Sequence, residues 1–293
     1  MLTTDRTDVN PRGGTVSALP KFDEIGYWSE VKLDIIRSYA SAYSQILSSQ
    51  RGLYHVYVDG FAGAGEHLRK GTLEPVLGSP MRALEVVPPF REYFFVDLDG
   101  DKAEHLGRLV GDREDVHVLQ GDCNTVLLDN VFPKLRWEDY RRGLCLVDPY
   151  GLHLDWRLIE TAGRMRTIDL FLNFPIADAN RNALWHDPER VSKEQAERMT
   201  RYWGDDSWRE VAYRPSAQRG LFEHDLEKVG NEEIALAFAE RLRRIAGFAN
   251  VPDPLPMRNS HGAVVYYLYF ASQKDVANKI VKDIFRKHAS RKG

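Results

Sequence analysis

Long apolar runs are missing. No stretch of about 18 apolar residues occurs, so no membrane-spanning helix is expected. No apolar core of a secretory leader follows the first residues, which makes the cytoplasm the expected compartment. Cysteine is scarce: Cys123 and Cys145 fall in apparent strands and have no Cys-x-x-Cys or Cys/His neighbours. That predicts reduced, buried thiols and no metal site. Neither G-x-x-x-x-G-K-[S/T] nor G-x-G-x-x-G is present, which argues against a phosphate-binding P-loop and against an NAD fingerprint. Charge of one sign is not in excess. Forty Lys and Arg face 43 Asp and Glu, a formal net charge of −3. The chain therefore has no global electrostatic reach for nucleic acid, although a local basic patch stays open. No internal repeat is visible.

What is present is a strand that breaks into glycines. Tyr54-His-Val-Tyr-Val-Asp59 reads as a short apolar strand, and Gly60-Phe-Ala-Gly63-Ala-Gly65 follows it. Small residues let the backbone turn sharply and let a ligand approach the main chain. In an open α/β sheet, ligands sit outside the carboxyl ends of the strands. The plain alternative is a glycine turn after a buried strand. As a pocket floor, a carboxylate at the strand end suits the amine of S-adenosylmethionine better than a pyrophosphate.

More strands end in polar residues. Glu92–Asp97 is a strand one βαβ unit later. Asp97, with Asp99 as second choice, is placed to hold ribose hydroxyls or to act as an acidic turn or helix cap. Val116–Asn124 delivers Asp122 to where an adenine amino group is read, though Asp122 or Asn124 could equally cap the next helix. Gly143–Val147 delivers Asp148-Pro149-Tyr150-Gly151. There a carboxylate and the carbonyl near Pro149 can accept from an amino nucleophile while Tyr150 stacks on its ring. The alternative is an ordinary Asp-Pro turn with a packed tyrosine. Ile168–Pro175 ends near Asn173. Asn180 and Arg181 follow in a predicted polar loop, with Arg181 facing a phosphate, a carboxylate or simply solvent.

The flanks frame these strands. Residues 1–20 read as a tail and 21–293 as one domain. A helix is expected from Ser29 as N-cap, with Leu33, Ile36, Ala40, Tyr43 and Leu47 as its apolar stripe. Lys32 lies off that stripe in the first turn, solvated or, if the helix covers the pocket, meeting an anion. Gly71 to Pro80 reads as a loop, with Ser79 capping the helix after it. About 176–250 is mostly helical, with Trp185, Trp203, Trp208 and Arg219 inside it, and is too long for a simple crossover. It reads as a helical insertion or cap. Gly262–Ala271 is a long β-branched and aromatic strand, with Leu255–Arg258 as its hairpin neighbour.

Taken together, Lys32, Asp59-Gly-Phe61-Ala-Gly63-Ala-Gly65, Gly78-Ser-Pro80, Asp97, Gly121-Asp122-Cys123-Asn124, Asp148-Pro-Tyr-Gly151 and Asn180-Arg181 resemble class I S-adenosylmethionine-dependent methyltransferases. More closely, they resemble the three-Cys-motif partner protein family of bacteria. The resemblance is best over residues 22–185. It implies an α/β, Rossmann-like sheet, mostly parallel with one antiparallel C-terminal strand. It also implies S-adenosylmethionine held by Asp59, Phe61, Gly63, Gly65, Asp97, Asp122 and Cys123. Asp148, Pro149 and Tyr150 would be the catalytic set, with Lys32, Asn173 and Arg181 as substrate or accessory residues. It further implies a three-cysteine-motif protein as partner. The glycine loop and Asp-Pro-Tyr-Gly also resemble adenine-N6 methyltransferases acting on RNA or DNA, which carry a second proline after the first. The expected activity is methyl transfer to an amino group of a nucleic-acid base. The alternative is a catalytically silent scaffold for the three-cysteine partner.

Overall fold

The computed structural model describes residues 22–215 and 226–289. The expected tail over residues 1–20 and Arg219 lie outside them. In chain order the first part holds β1 (Glu24–Ile25), α1 (Tyr27–Ser48), β2 (Tyr54–Asp59), β3 (Glu66–Arg69), β4 (Pro75–Leu77), α2 (Ser79–Leu84), β5 (Glu92–Asp97) and α3 (Gly100–Val110). Next come β6 (Val116–Gln120), α4 (Cys123–Val126), β7 (Arg141–Val147), α5 (Trp156–Met165), β8 (Ile168–Phe174) and α6 (Ile176–Asn182). The last part holds α7 (Lys193–Trp203), α8 (Trp208–Ala212), β9 (Tyr213–Pro215), β10 (Leu226–Lys228), α9 (Asn231–Arg244), β11 (Leu255–Arg258), β12 (Val264–Ala271) and α10 (Asp275–Ala289).

Among the described residues the central sheet has seven strands in the order β11-β12-β8-β7-β2-β5-β6. β6, β5, β2, β7 and β8 are parallel neighbours. β12 runs against both β8 and β11. The fold is thus the α/β, mostly parallel sheet expected from the strand pattern, with one antiparallel strand near the C-terminus. Successive side chains of a strand face opposite sides, and both sides of this sheet are covered. Val56, Val58, Phe94, Val96, Cys145 and Val147 join one core with α4, α5 and α7 to α9. Tyr57, Tyr93, Phe95, Leu144, Leu146 and Phe171 join the other with α1, α2 and α10. Burial on both faces explains why these strands read as continuous apolar runs.

Three expectations need correction. α1 begins at Tyr27 with Gly26 as N-cap, and no side chain caps it, so Ser29 is already helical. Ser79 is likewise the first residue of α2, whose N-cap is Gly78. The stretch from 71 to 80 is not simply loop, since β3 and β4 form a hairpin and β1 lies parallel to β3. The helices after β8 pack directly on the sheet. Trp203, Trp208 and Phe238 are at most 1% exposed, and Phe238 stacks on Phe174 of β8 with ring centroids 4.9 Å apart.

Helix α5 approaches the turn after α9 so closely that a Cβ on Gly163 would run into the Ala246 carbonyl. A Cβ on Gly107 of α3 would meet nothing within 4 Å. Alanine is the better helix former by about 1 kcal/mol, so the two sites should respond oppositely. Gly107→Ala is expected to stabilise by up to about 1 kcal/mol, and Gly163→Ala to destabilise by about 3 kcal/mol through overpacking. Denaturant midpoints of the two variants check both signs.

Candidate functional site

Parallel strands bring their carboxyl ends to one rim. Asp59 ends β2 and Asp97 ends β5, Asp148 follows β7, and Asn173 is the penultimate residue of β8. Asp59 is fully buried. Its Oδ1 accepts the Phe61 N–H at 3.2 Å, and its Oδ2 is buried with no hydrogen-bond partner. Burial pushes its pKa up from 3.8 to about 7. The nearby Ser79 hydroxyl and the Phe61 N–H oppose that rise, and the charges of Asp148 and Asp97 add to it.

Lys32 lies in the second turn of α1, turned inward and 8% exposed. Its ammonium pairs with Asp148 Oδ2 and lies 5.1 Å from the centre of the Tyr266 ring. Burial alone would lower its pKa. The carboxylate of Asp148, then Tyr266 and Asp59, outweigh burial and leave it raised. Of the two sequence readings, the one in which Lys32 meets an anion is what the structure contains. Asn173 donates to the other oxygen of Asp148. Both oxygens of Asp148 are therefore engaged by protein groups.

The Asp148–Asp155 loop is held from several sides. Pro149 is buried, while Tyr150 is 74% exposed. The Tyr150 hydroxyl donates to Asp23 at 2.8 Å, and Lys102 donates to the same Asp23 oxygen at 2.7 Å. The Leu152 N–H donates to Asp178 of α6 at 3.2 Å. Arg198 of α7 lies 3.5 Å from the same Asp178 oxygen. A Cβ at Gly151 would come within 2.9 Å of that oxygen, so the Asp178 carboxylate leaves no room for a side chain there, while Tyr150 stands where a second proline was looked for. Asn124 ties down the far end, donating to the His153 carbonyl and accepting from the Asp155 N–H.

The glycine loop leans on Asp97, whose Oδ2 accepts the Gly63 N–H at 2.7 Å. Its Oδ1 accepts the Asp99 N–H at 2.9 Å. Asp99 itself caps α3, accepting from Asp101 and Lys102, so of that pair Asp97 is the one joined to the loop. Gly63 has φ +63°, and a Cβ there would meet nothing within 4 Å. Gly65, at φ +82°, is packed against Leu106 and Met81. Phe61 is half-buried against the core. A Cβ at Gly60 would lie 2.6 Å from Cys123 Sγ, so the loop rests directly on that thiol.

Other expected residues sit differently. β6 ends at Gln120, and Asp122 is the exposed N-cap of α4, accepting the Thr125 N–H. Cys145 is in a strand, but Cys123 opens α4. Both are free, buried thiols, and burial raises both pKa values. Asn180 and Arg181 lie in helix α6 rather than in a polar loop. Arg181 points outward, its side chain 76% exposed, 3.8 Å from Asp178. The sequence reading missed Asp23, Asp178, Arg198, Tyr266 and His67. None is part of a spaced motif, although His67 follows the last loop glycine by two residues. Among the described residues no group of three or more His, Cys, Asp or Glu is arranged to hold a metal, and no helix is long and apolar enough to cross a membrane.

No protein-family model and no curated protein matches the chain. Solved structures share its general layout. A Legionella pneumophila protein aligns at a TM-score of 0.47 and 12% identity, over 87% of this chain and 92% of its own. A Listeria monocytogenes protein assigned as an S-adenosylmethionine-dependent methyltransferase aligns at 0.39 and 12%, over 81% and 99%. An S-adenosylmethionine-dependent methyltransferase from Mesorhizobium loti aligns at 0.35 and 14%, over 78% and 95%. Likeness at this level transfers neither residues nor activity.

The raised Asp59 has a consequence for stability. The folded carboxyl keeps its proton to higher pH than the unfolded one, so folded protein binds more protons between about 3.8 and 7. Stability is therefore highest at the acid end of that window and falls as pH rises through it, by at most about 1.4 kcal/mol per pH unit. Asp169, pushed up to about 6 by burial, gives a similar slope at lower pH. Asp59→Asn is expected to remove the decline between pH 6 and 7 while leaving part of the decline below pH 6. Melting temperature against pH for wild type and variant is the check.

Proposed function

We propose that the chain binds S-adenosylmethionine at the rim of β2 and β5 and transfers its methyl group to an amino nitrogen, with a nucleic-acid base as acceptor. The observation that carries the reading is the spare acceptor capacity and open space around the glycine loop. Asp59 keeps a buried oxygen without a partner. Asp97 accepts the Gly63 and Asp99 main-chain N–H groups, one on each oxygen, which leaves lone pairs for a vicinal diol. The space facing Gly63 is open. An amine, a ribose and a backbone-hugging chain match those three features, so the residues present fit this cofactor.

Bound there, the cofactor supplies a methyl group already activated on a sulfonium, and the protein's share is positioning. Asp59, Gly63 and Gly65 take the methionine part and Asp97 the ribose. Asp122, exposed at the start of α4, takes the adenine edge, with Cys123 beneath the loop. Asp148 and the Pro149 carbonyl receive the acceptor amine, and the exposed Tyr150 ring gives its base a stacking face. Lys32 and Asn173 fix the Asp148 carboxylate from behind. Residues about 176–250 act as a helical insertion in a single domain, reaching the acceptor loop through Asp178 and Arg198.

A second reading rests on one observation, the engagement of both Asp148 oxygens by Lys32 and Asn173. On it the chain keeps the fold and the cofactor, transfers nothing, and assembles with a three-cysteine-motif protein.

Calorimetric titration separates a real cofactor site from a vestigial one. Wild type is expected to bind S-adenosylhomocysteine at micromolar Kd, and Asp97→Ala to weaken it roughly 10- to 100-fold, as losing hydrogen bonds to a charged acceptor implies. No heat with either S-adenosylmethionine or S-adenosylhomocysteine would sink the cofactor reading. Retained methyl transfer in Asp148→Ala would remove Asp148 from the acceptor role.

A further inference from the structure

His67 is a titratable group near the glycine loop that the reading above leaves unused. It sits on β3, opposite Val76 of β4, and strand pairing carries it back over the glycine loop. A Cβ on Gly78 would lie 2.9 Å from the Gly65 carbonyl and 3.3 Å from His67 Nε2, so the imidazole rests against Gly78, which braces the end of the loop. Its Nδ1 is buried without a hydrogen-bond partner. The charges that face it come from four separate elements: Asp23 ahead of β1, Lys32 of α1, Asp148 after β7 and Lys102 of α3. Two are anions and two cations. Burial, the largest influence, lowers its pKa and favours the neutral ring, which lies within electrostatic reach of Lys32 and Asp148.

Methyl transfer to an amine releases a proton, and Asp148 is poorly placed to take it. Its two oxygens already accept from Lys32 and Asn173. We infer that His67 is the proton acceptor of this site. The inference rests on the methyltransferase reading given above. The acceptor nitrogen forms its bond to the methyl carbon as the carbon–sulfur bond breaks. Sulfur keeps the electron pair, and the proton shed by nitrogen passes to the neutral imidazole, directly or through one water. Asp23, joined to Lys102 and Tyr150, faces the resulting imidazolium with a carboxylate. Lys32 faces it with a like charge that favours onward loss of the proton.

The test uses full-length protein with ¹⁵N-histidine labelling and follows the imidazole of His67 by NMR from pH 5 to 8. Three states are compared: free, saturated with S-adenosylhomocysteine, and saturated with S-adenosylmethionine. The two ligands differ by one methyl and one positive charge on sulfur. His67 near the reacting centre should titrate below the ordinary histidine value of about 6.5. It should titrate lower with S-adenosylmethionine than with S-adenosylhomocysteine, by at least about half a pH unit for a charge several ångströms away. His67→Gln identifies the resonance, and through-bond assignment from Leu68 replaces it if that variant does not fold. An equal pKa in the two complexes, or a ring that stays charged at pH 7, overturns the inference while the cofactor reading stands. No resonance or heat change with either ligand overturns the cofactor reading and the inference with it.

Discussion

A buried ammonium needs an anion, because the cost of taking a charge out of water is offset only by a well-placed opposite charge and hydrogen bonds. Lys32 finds Asp148, and much of the rim follows from that pairing. It fixes the start of α1 against the carboxyl edge of the sheet. It holds the Asp148–Asp155 loop at its first residue, and Asn173 reinforces the grip from β8. The negative charge it holds lies near Asp59, which is one reason that second carboxyl resists ionisation. Breaking such a pair on one side would leave an uncompensated charge in a site with little water.

The neighbouring half of the rim is built on backbone rather than on charge. Gly60 lies on the Cys123 thiol, Gly65 fits under Leu106, and Gly78 closes on the Gly65 carbonyl. Asp97 then anchors the loop through the Gly63 N–H. The result is a main-chain cradle with one open position, at Gly63. The two halves differ in kind. The loop side offers a surface for a flat or extended ligand, and the Asp148 side offers a fixed carboxylate and an exposed aromatic ring.

Much of this was legible in the residues. A strand ending at Asp59 and breaking into glycines, a second ending at Asp97 and a fourth reaching Asp148 all follow from apolar runs that stop at acids. Parallel pairing then brings such ends together. Caps were less legible. Asp122 reads equally well as a ligand or a cap, and in the fold its oxygen caps α4. Arg181 looked like a loop cation, yet α6 turns it outward to solvent. Lys32 read as either solvated or meeting an anion, and in the fold it shares the buried face of α1 with Ile36, Tyr39 and Tyr43. In each case the outcome depends on what the element packs against or leads into, which the local pattern does not state.

By itself the sequence determined the alternation of strands and helices and which strands run out into acids, because these depend on local apolar patterning. Tertiary structure decided which of those acids touch anything. Asp23 reaches Tyr150 and Lys102 across 127 and 79 residues of chain, and Lys32 reaches Asp148 across 116. His67 arrives against Gly78 on a short strand with no motif of its own. Contacts at such separations depend on how the layers pack, and no local pattern encodes them. The glycine at position 151 shows the same division: its presence is written in the chain, and its reason, the Asp178 carboxylate against it, exists only in the fold.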